Sequence, residues 1–207
     1  MTRKEKAKEI IRRLKKVWPH PTIALNFSNP LELLVATILS AQATDKVINK
    51  VTPILFKKYK TASDYANAPL EELDDMVKKV NFHLNKAKNI KAAAKIIDEK
   101  YHGKVPDTME ELDALPGVAR KTANVVLGSA FHKKEGIVVD THVIRLSQKL
   151  GLTDQKKPEK IEEDLMNLVP KEDWIDFSHL LINFGRTYCP ARPHTCPDCP
   201  LGDLCPD

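Results

Sequence analysis

Four cysteines near the end of the sequence have the type and spacing to hold a metal. They follow the pattern Cys189-x6-Cys196-x2-Cys199-x5-Cys205. A cluster in one short segment favours metal binding over a disulfide framework, whose cysteines are usually spread along the chain. The C-x2-C element fits zinc as well as an iron–sulfur centre, but the whole spacing does not form the two short knuckles of most zinc sites.

The segment 112–131, LDALPGVARKTANVVLGSAF, is a second candidate for chemistry. Pro116-Gly117 predicts a tight turn between a short helix that ends at Leu115 and an apolar helix that starts near Val118. Such a hairpin aims backbone N–H groups outward at a helix N-terminus, which suits a DNA phosphate and is indifferent to base sequence. A helix corner packed into a core is the alternative, and the basic pair Arg120-Lys121 favours the anion site.

Lys121 and Asp140 have side chains suited to nucleophilic and acid–base chemistry. A buried or partly buried lysine with a lowered pKa is a nucleophile. Lys121 lies in the first turns of a predicted helix, where the helix dipole disfavours a second positive charge. Asp140 follows the apolar residues 137–139 and stands where another helix begins. A solvated lysine and an N-cap aspartate are the alternatives that the residues alone leave open.

Helical periodicity dominates the elements that must position these residues. Gly accounts for only 7 of 207 residues and aromatic residues for 6%, which argues against a β-sandwich or barrel. Asn29-Pro30 predicts the start of a strongly apolar helix. Further helices are predicted over 3–18, from Thr44-Asp45 with an interruption or restart at Pro53, after Ser63, after Pro69, and over 86–101, 109–115, 116–131, 140–150, 158–168 and 171–184.

The overall composition is that of a globular protein. Hydrophobic residues make up 42% and charged residues 29%, and the net charge of +5 is compatible with a polyanionic partner. We find no signal peptide, and the longest apolar stretch, 31–39, is too short to span a membrane. We therefore expect an intracellular protein without membrane association, in a reducing compartment where disulfides are disfavoured.

Taken together, four features resemble the endonuclease III family of helix-hairpin-helix DNA glycosylases. They are LLVATILSAQATD (33–45), LPGVARKTANVVL (115–127), VDTHVIRL (139–146) and the cysteine spacing. The resemblance implies an all-α fold of two helical lobes with a DNA-binding cleft between them. One lobe would comprise residues 22–133 and the other residues 1–21 and 134–207.

The same resemblance implies an activity and its residues. We expect a monomeric, bifunctional DNA glycosylase and abasic-site lyase of base excision repair. It would remove oxidised pyrimidines from duplex DNA and cleave the strand by β-elimination. Lys121 and Asp140 fall on the family's catalytic positions, and the four cysteines on those that hold a [4Fe–4S] cluster. DNA contacts are implied for Gln42, Phe82, Gly117, Ala119, Arg120, Arg186 and Arg192.

Two of these contacts have simpler alternatives. Gln42 and Phe82 would fill the gap that an extruded nucleotide leaves. Gln42 could instead be a polar residue at a helix C-terminus, and Phe82 could belong to the core.

Four positions depart from the family pattern. Asn81 stands where Gly is common, and we expect Asn81 to take the left-handed turn conformation. His83 replaces Tyr, Ala119 replaces the second Gly of the hairpin, and Phe184 replaces a His. Two other functions stay open: a related glycosylase for mismatched adenine or thymine, and a non-catalytic helix-hairpin-helix DNA-binding module stiffened by a metal.

Overall fold

The computed structural model describes residues 1–194, 196 and 198–205. No strand occurs in that part of the chain, which confirms the all-α prediction. Its α-helices are α1 (Arg3–Val17), α2 (Pro30–Ser40), α3 (Asp45–Lys58), α4 (Ala62–Asn67), α5 (Leu70–Val77), α6 (His83–Tyr101), α7 (Met109–Asp113), α8 (Arg120–Phe131), α9 (Thr141–Lys149), α10 (Pro158–Leu168) and α11 (Trp174–Thr187). Two 3₁₀ helices, Lys171–Asp173 and Gly202–Leu204, accompany them.

The chain divides into two compact units. One unit is Ile23–Lys133, and the other combines Met1–Thr22 with Lys134–Asp207. Each unit has its own cluster of buried apolar side chains. None of the helices among the described residues is both long and apolar enough to cross a membrane.

The unit Ile23–Lys133 is built around α2. This helix begins as predicted, with Pro30 in its first turn and the Asn29 side chain accepting a hydrogen bond of 3.0 Å from the Glu32 N–H. Its residues from Leu31 to Leu39 are buried except Glu32. Helices α3, α6 and α8 pack against it, so α2 is a core helix that its neighbours cover on several sides.

The unit that combines Met1–Thr22 with Lys134–Asp207 is built from amphipathic helices. The apolar face of α1 is buried through Ala7, Ile10, Ile11 and Leu14. A reciprocal capping box between Thr2 and Glu5 begins the helix. Helix α1 packs against α10 and α11, and α9 packs against α11. These four helices place the residues around Asp140 and the cysteines.

Several predicted helix boundaries are wrong, and three of them have a clear cause. Helix α3 continues through Pro53, because buried neighbours on both sides hold the helix on the core. Helix α4 begins at Ala62, since Thr61 and not Ser63 forms a capping box, with Asp64. Helix α8 begins at Arg120 and not at residue 116, because Gly117 has a left-handed backbone (φ +77°) that no α-helix can include.

Candidate functional site

The α7–α8 hairpin depends on Gly117. Its φ of +77° favours glycine, and a Cβ there would lie 2.7 Å from Nδ2 of Asn89 on α6. Leu115 and Val118 on either side are buried, and the Val118 N–H donates to the Leu115 carbonyl at 3.1 Å. The turn is therefore held both by its own hydrogen bond and by close packing on α6.

The N-terminus of α8 has the form of an anion site. Its N-cap is Ala119, which makes no side-chain capping hydrogen bond and is exposed. The first N–H groups of a helix have no intrahelical acceptor, so they suit an oxyanion such as a phosphate. Ala119 keeps its own N–H, and the exposed Arg120 adds positive charge beside it.

Lys121 is exposed in the first turn of α8. The apolar residues of this helix, among them Ala123, Val126 and Leu127, turn into the core, and Lys121 lies outside that face. Burial is therefore not what would activate its amine. Exposure leaves the amine open to a substrate as large as DNA.

Asp140 is the N-cap of α9. Its Oδ1 accepts a hydrogen bond of 2.8 Å from the Val143 N–H. Asp140 is half-buried, and Ile137 and Val139 before it in the chain are buried. The alternative that the sequence left open, an N-cap, is thus present, and it engages one of the two carboxylate oxygens.

Sequence reasoning missed His179, a buried histidine of α11 in the same unit as Asp140. Its residue is 8% exposed. Burial lowers the pKa of His179, and the charges of Asp176 and Asp140 oppose that effect. A neutral imidazole is consequently favoured near Asp140, and the isolated sequence SHLL carries no signal of this.

Helix α9 packs so closely on α11 that one position needs glycine. A Cβ on Gly185 would lie 2.6 Å from Nδ1 of His142 and 3.0 Å from Cδ1 of Leu146. Arg145 of α9 also donates to the Cys189 carbonyl at 2.7 Å and lies 3.7 Å from its Sγ. The helix that Asp140 begins is therefore fixed to the start of the cysteine segment.

Gln42 and Phe82 share an unusual backbone. Both have positive φ, +54° and +57°, a region that costs energy for residues other than glycine. Gln42 lies beyond the end of α2 and is exposed, and Phe82 is 62% exposed at the N-cap of α6. The core alternative for Phe82 is therefore wrong. Both residues present their side chains to solvent in the unit Ile23–Lys133.

Two neighbours of these residues behave differently from expectation. Asn81 does not take the left-handed turn, which falls on Phe82 instead. The Asn81 Nδ2 donates to the Gln42 carbonyl at 3.0 Å. His83 Nδ1 lies 2.5 Å from Asp74 Oδ1, so the residue that replaces Tyr has a partner on α5.

Cys189, Cys196, Cys199 and Cys205 line one cavity of about 210 Å³. None of them forms a disulfide. Across the described residues, no three His, Cys, Asp or Glu side chains are grouped tightly enough to hold a single metal ion. Four thiols that line one cavity are a donor set that suits zinc or an iron–sulfur centre.

One departure from the family pattern, Phe184, lies in the wall of this cavity. Phe184 is 3% exposed, lines the cavity and stacks on Tyr188 with ring centroids 6.1 Å apart. It is an apolar wall and is almost completely buried. From α1, Arg13 donates to the Pro200 carbonyl at 3.2 Å and to Asp203 at 2.9 Å, which holds the segment between the last two cysteines.

Arg186 and Arg192 flank the first cysteine along the chain. Both are exposed, Arg186 in the last turn of α11 and Arg192 in the cysteine segment. Lys121 belongs to the unit Ile23–Lys133, and Asp140 belongs to the other unit with the cysteines and these two arginines.

Known proteins resemble this chain in both sequence and fold. Residues 35–171 match the profile of the HhH-GPD superfamily of base excision DNA repair proteins. The endonuclease III of Synechocystis sp. is 51% identical, with 99% of this chain and 94% of that protein aligned. The endonuclease III of Bacillus subtilis is 50% identical over 91% of this chain and 86% of its own length.

The fold matches a solved structure over nearly the whole chain. A trapped endonuclease III–DNA covalent intermediate, an estranged-adenine complex, superposes with a TM-score of 0.92 at 43% identity, covering 99% of this chain and 96% of that one. The chain belongs to the HhH-GPD superfamily of base excision DNA repair proteins and, within it, to the endonuclease III family.

Proposed function

We propose that this protein is a bifunctional DNA glycosylase and abasic-site lyase that removes oxidised pyrimidines from duplex DNA. The observation that carries the proposal is the exposed amine of Lys121 in the first turn of α8, directly after the helix-hairpin-helix turn. The covalent DNA intermediate of a protein with the same fold supports a nucleophilic mechanism. An enzyme that repairs DNA would act inside the cell.

Lys121 is the nucleophile of the proposed reaction. The lone pair of its Nζ attacks C1′ of the damaged nucleotide, and the C1′–N bond breaks as the base leaves with the bonding electrons and takes up a proton. Opening of the sugar ring at O4′ gives an imine between C1′ and Nζ. Loss of a C2′ proton then expels the 3′ phosphate, and water releases the amine.

Asp140 is the carboxylate of the same reaction. It assists deprotonation of the amine and stabilises positive charge that develops on the sugar. Oδ1 accepts the Val143 N–H, so the carboxylate is held in one orientation by its own helix. Capping and catalysis are compatible because they use different oxygens.

The remaining residues bind the DNA. The α8 N-terminus with Gly117, Ala119 and Arg120 would bind backbone phosphates, and Arg186 and Arg192 would add further phosphate contacts. Gln42 and Phe82 would fill the gap left by the extruded nucleotide.

The four cysteines are proposed to hold a [4Fe–4S] cluster. The endonuclease III family carries iron–sulfur clusters in general, and the thiol-lined cavity of about 210 Å³ is compatible with one. When bound, the cluster supplies a rigid, charged centre for the segment that carries Arg192. Glycosidic cleavage itself needs no redox step.

Borohydride trapping tests the proposal. Reduction of the imine should link the wild-type protein covalently to duplex DNA with an oxidised pyrimidine, and Lys121→Ala should abolish the link and the strand cleavage. Lys95→Ala is the matched control, since Lys95 is an exposed helix lysine paired with Glu99. Trapping by Lys121→Ala would contradict the mechanism.

The same assay separates the two alternative functions. A non-catalytic DNA-binding module would retain the duplex in a gel without trapping or nicking it. A mismatch glycosylase would act on duplexes with mismatched adenine or thymine and leave the oxidised pyrimidine in place.

A further inference from the structure

Gln42 and Phe82 are two exposed tips of the unit Ile23–Lys133, and residues on either side of Phe82 donate hydrogen bonds to the backbone at and before Gln42. Lys86, in the first turn of α6 just after Phe82, is 6% exposed and donates from Nζ to the Leu39 carbonyl at 2.8 Å and also to the Ala41 carbonyl. Asn81, just before Phe82, donates to the Gln42 carbonyl. The segment on both sides of one tip thus holds the backbone of the other.

These contacts supply hydrogen-bond donors to the carbonyls at the C-terminus of α2. The last carbonyls of a helix lack intrahelical donors, and α2 has no basic residue in its own last turn. Lys86 supplies charge-assisted donors from another helix, and burial lowers the pKa of its ammonium. Burying an ammonium costs free energy. A Gly or Asn at the C-terminus of α2 could cap the helix locally without that cost.

The cost of burying Lys86 is explained by the position of its cap, directly before Gln42. Directly after Ala41 the chain takes the left-handed conformation at Gln42, which costs free energy for a residue other than glycine. Hydrogen bonds to the carbonyls of residues 39, 41 and 42 restrain the backbone that carries the Gln42 side chain. A glycine at position 42 would leave the backbone there free to move.

We propose that Lys86 and Asn81 are positioning residues for base extrusion, which hold Gln42 in its left-handed backbone and tie it to Phe82 so that both tips enter the duplex together. The inference rests on the proposed glycosylase function and deepens it. Neither residue needs to touch the reacting atoms, and Lys86 is too buried to be a DNA contact.

Helix α6 offers a matched control. Lys91, further along the same helix, donates to the Ala66 and Ala68 carbonyls at 2.6 Å each, at the C-terminal end of α4. It makes the same kind of cap as Lys86 at an end with no proposed DNA contact. Lys86→Met and Lys91→Met therefore remove equivalent hydrogen bonds, and only the first is next to Gln42.

The experiment follows extrusion and chemistry separately. A 2-aminopurine beside the lesion reports extrusion by fluorescence, single-turnover kinetics report excision of an oxidised pyrimidine, and a pre-formed abasic site reports the lyase step. We expect Lys86→Met to slow excision about 10- to 100-fold, because misplacing a positioning group has that order of effect. Abasic-site cleavage should fall much less, since no base has to leave the stack.

Two further variants keep the test decisive. Asn81→Ala removes an exposed side chain, so it should fold normally and still reduce the fluorescence change and the excision rate. In a double-mutant cycle, Lys86→Met should add little to Gln42→Ala if Lys86 acts through Gln42. Lys91→Met should excise and trap like the wild type.

The results distinguish this inference from the proposed function. If Lys86→Met and Asn81→Ala extrude and excise at the rate of Lys91→Met, or if the Lys86 and Gln42 effects are fully additive, the positioning role is wrong. Failure of the wild-type protein to trap any damaged duplex would instead overturn the glycosylase assignment.

Discussion

At Asp140, one carboxylate has a structural partner and a proposed chemical role. It accepts the Val143 N–H as the N-cap of α9, and the proposed reaction needs its negative charge. Asn is as good an N-cap as Asp but has no charge. Substitution can therefore separate the two roles.

We expect Asp140→Asn to keep the stability of the wild type within about 0.5 kcal/mol, because the amide oxygen still caps α9. Base excision should fall about 10²- to 10⁴-fold, the usual contribution of a group in acid–base chemistry. Asp140→Ala should lose the same activity and about 1 kcal/mol of stability in urea unfolding. Full activity of Asp140→Asn would show that only the cap matters.

At Gly117, substitution can separate the effect of backbone strain on stability from the effect of packing. Gly117→Ala adds the cost of a left-handed alanine, about 1–2 kcal/mol, to a clash with Asn89 on α6. Gly103 has the same φ of +77° and no heavy atom within 4 Å of the added Cβ. Gly103→Ala is thus the control for strain alone.

We expect Gly117→Ala to unfold more easily than Gly103→Ala in urea and to bind duplex DNA more weakly. The additional loss of stability in Gly117→Ala, relative to Gly103→Ala, measures the cost of displacing the hairpin from α6. Equal stability and equal DNA affinity of the two variants would contradict the packing argument.

At the scale of elements, α11 supports α9 through contacts that lie far apart in sequence. Gly185 allows the close approach of the two helices, and His179 is buried near the N-terminus of α9. Because burial lowers the pKa of His179 in the folded state, the unfolded state binds its proton more readily. The resulting stability is present above the ordinary value of 6.5 and is lost as the pH falls from there toward the folded pKa.

We expect the free energy of unfolding to fall on acidification below pH 6.5 with a component that disappears in His179→Gln. Urea unfolding of both proteins across this range measures that component. His20→Gln replaces an exposed histidine of the same unit and should keep the wild-type slope. An unchanged slope in His179→Gln would show that another group is responsible.

At the scale of the whole molecule, each unit has its own core, and the unit with the cysteines depends on more than apolar packing. Hydrogen bonds from Arg13 of α1 and Arg145 of α9 hold its cysteine segment. The apolar side chains of Leu146, Leu150 and Phe184 line the cavity that the cysteines share. A group bound by four thiols would therefore join two helices and the terminal segment into one stable structure.

We expect purified protein to be brown, with broad visible absorption and bound iron, and Cys199→Ser to lose iron and melt at a lower temperature. Arg192→Ala should retain iron and reduce the salt dependence of DNA binding by about one phosphate contact. A colourless protein with stoichiometric zinc would refute the cluster.

Several parts of the fold could be predicted from the sequence because their causes are local. Asn29-Pro30 begins α2, Asp140 begins α9, and the apolar periodicity of residues 3–18 identifies the buried face of α1. Caps and amphipathic faces are determined within one or two helical turns. The position of Ser63 misled the prediction because a better capping box, Thr61 with Asp64, lies two residues earlier.

The sequence by itself determined the helical class, most helix starts, and the residue types on which the proposed chemistry depends. Only the tertiary structure decided that Lys121 and Phe82 are exposed, that Gln42 is left-handed, and that His179 is buried. The physical reason is distance along the chain: the Lys86 ammonium caps the carbonyl of Leu39, 47 residues earlier. No local pattern encodes such a contact, because it forms only when separate helices pack together.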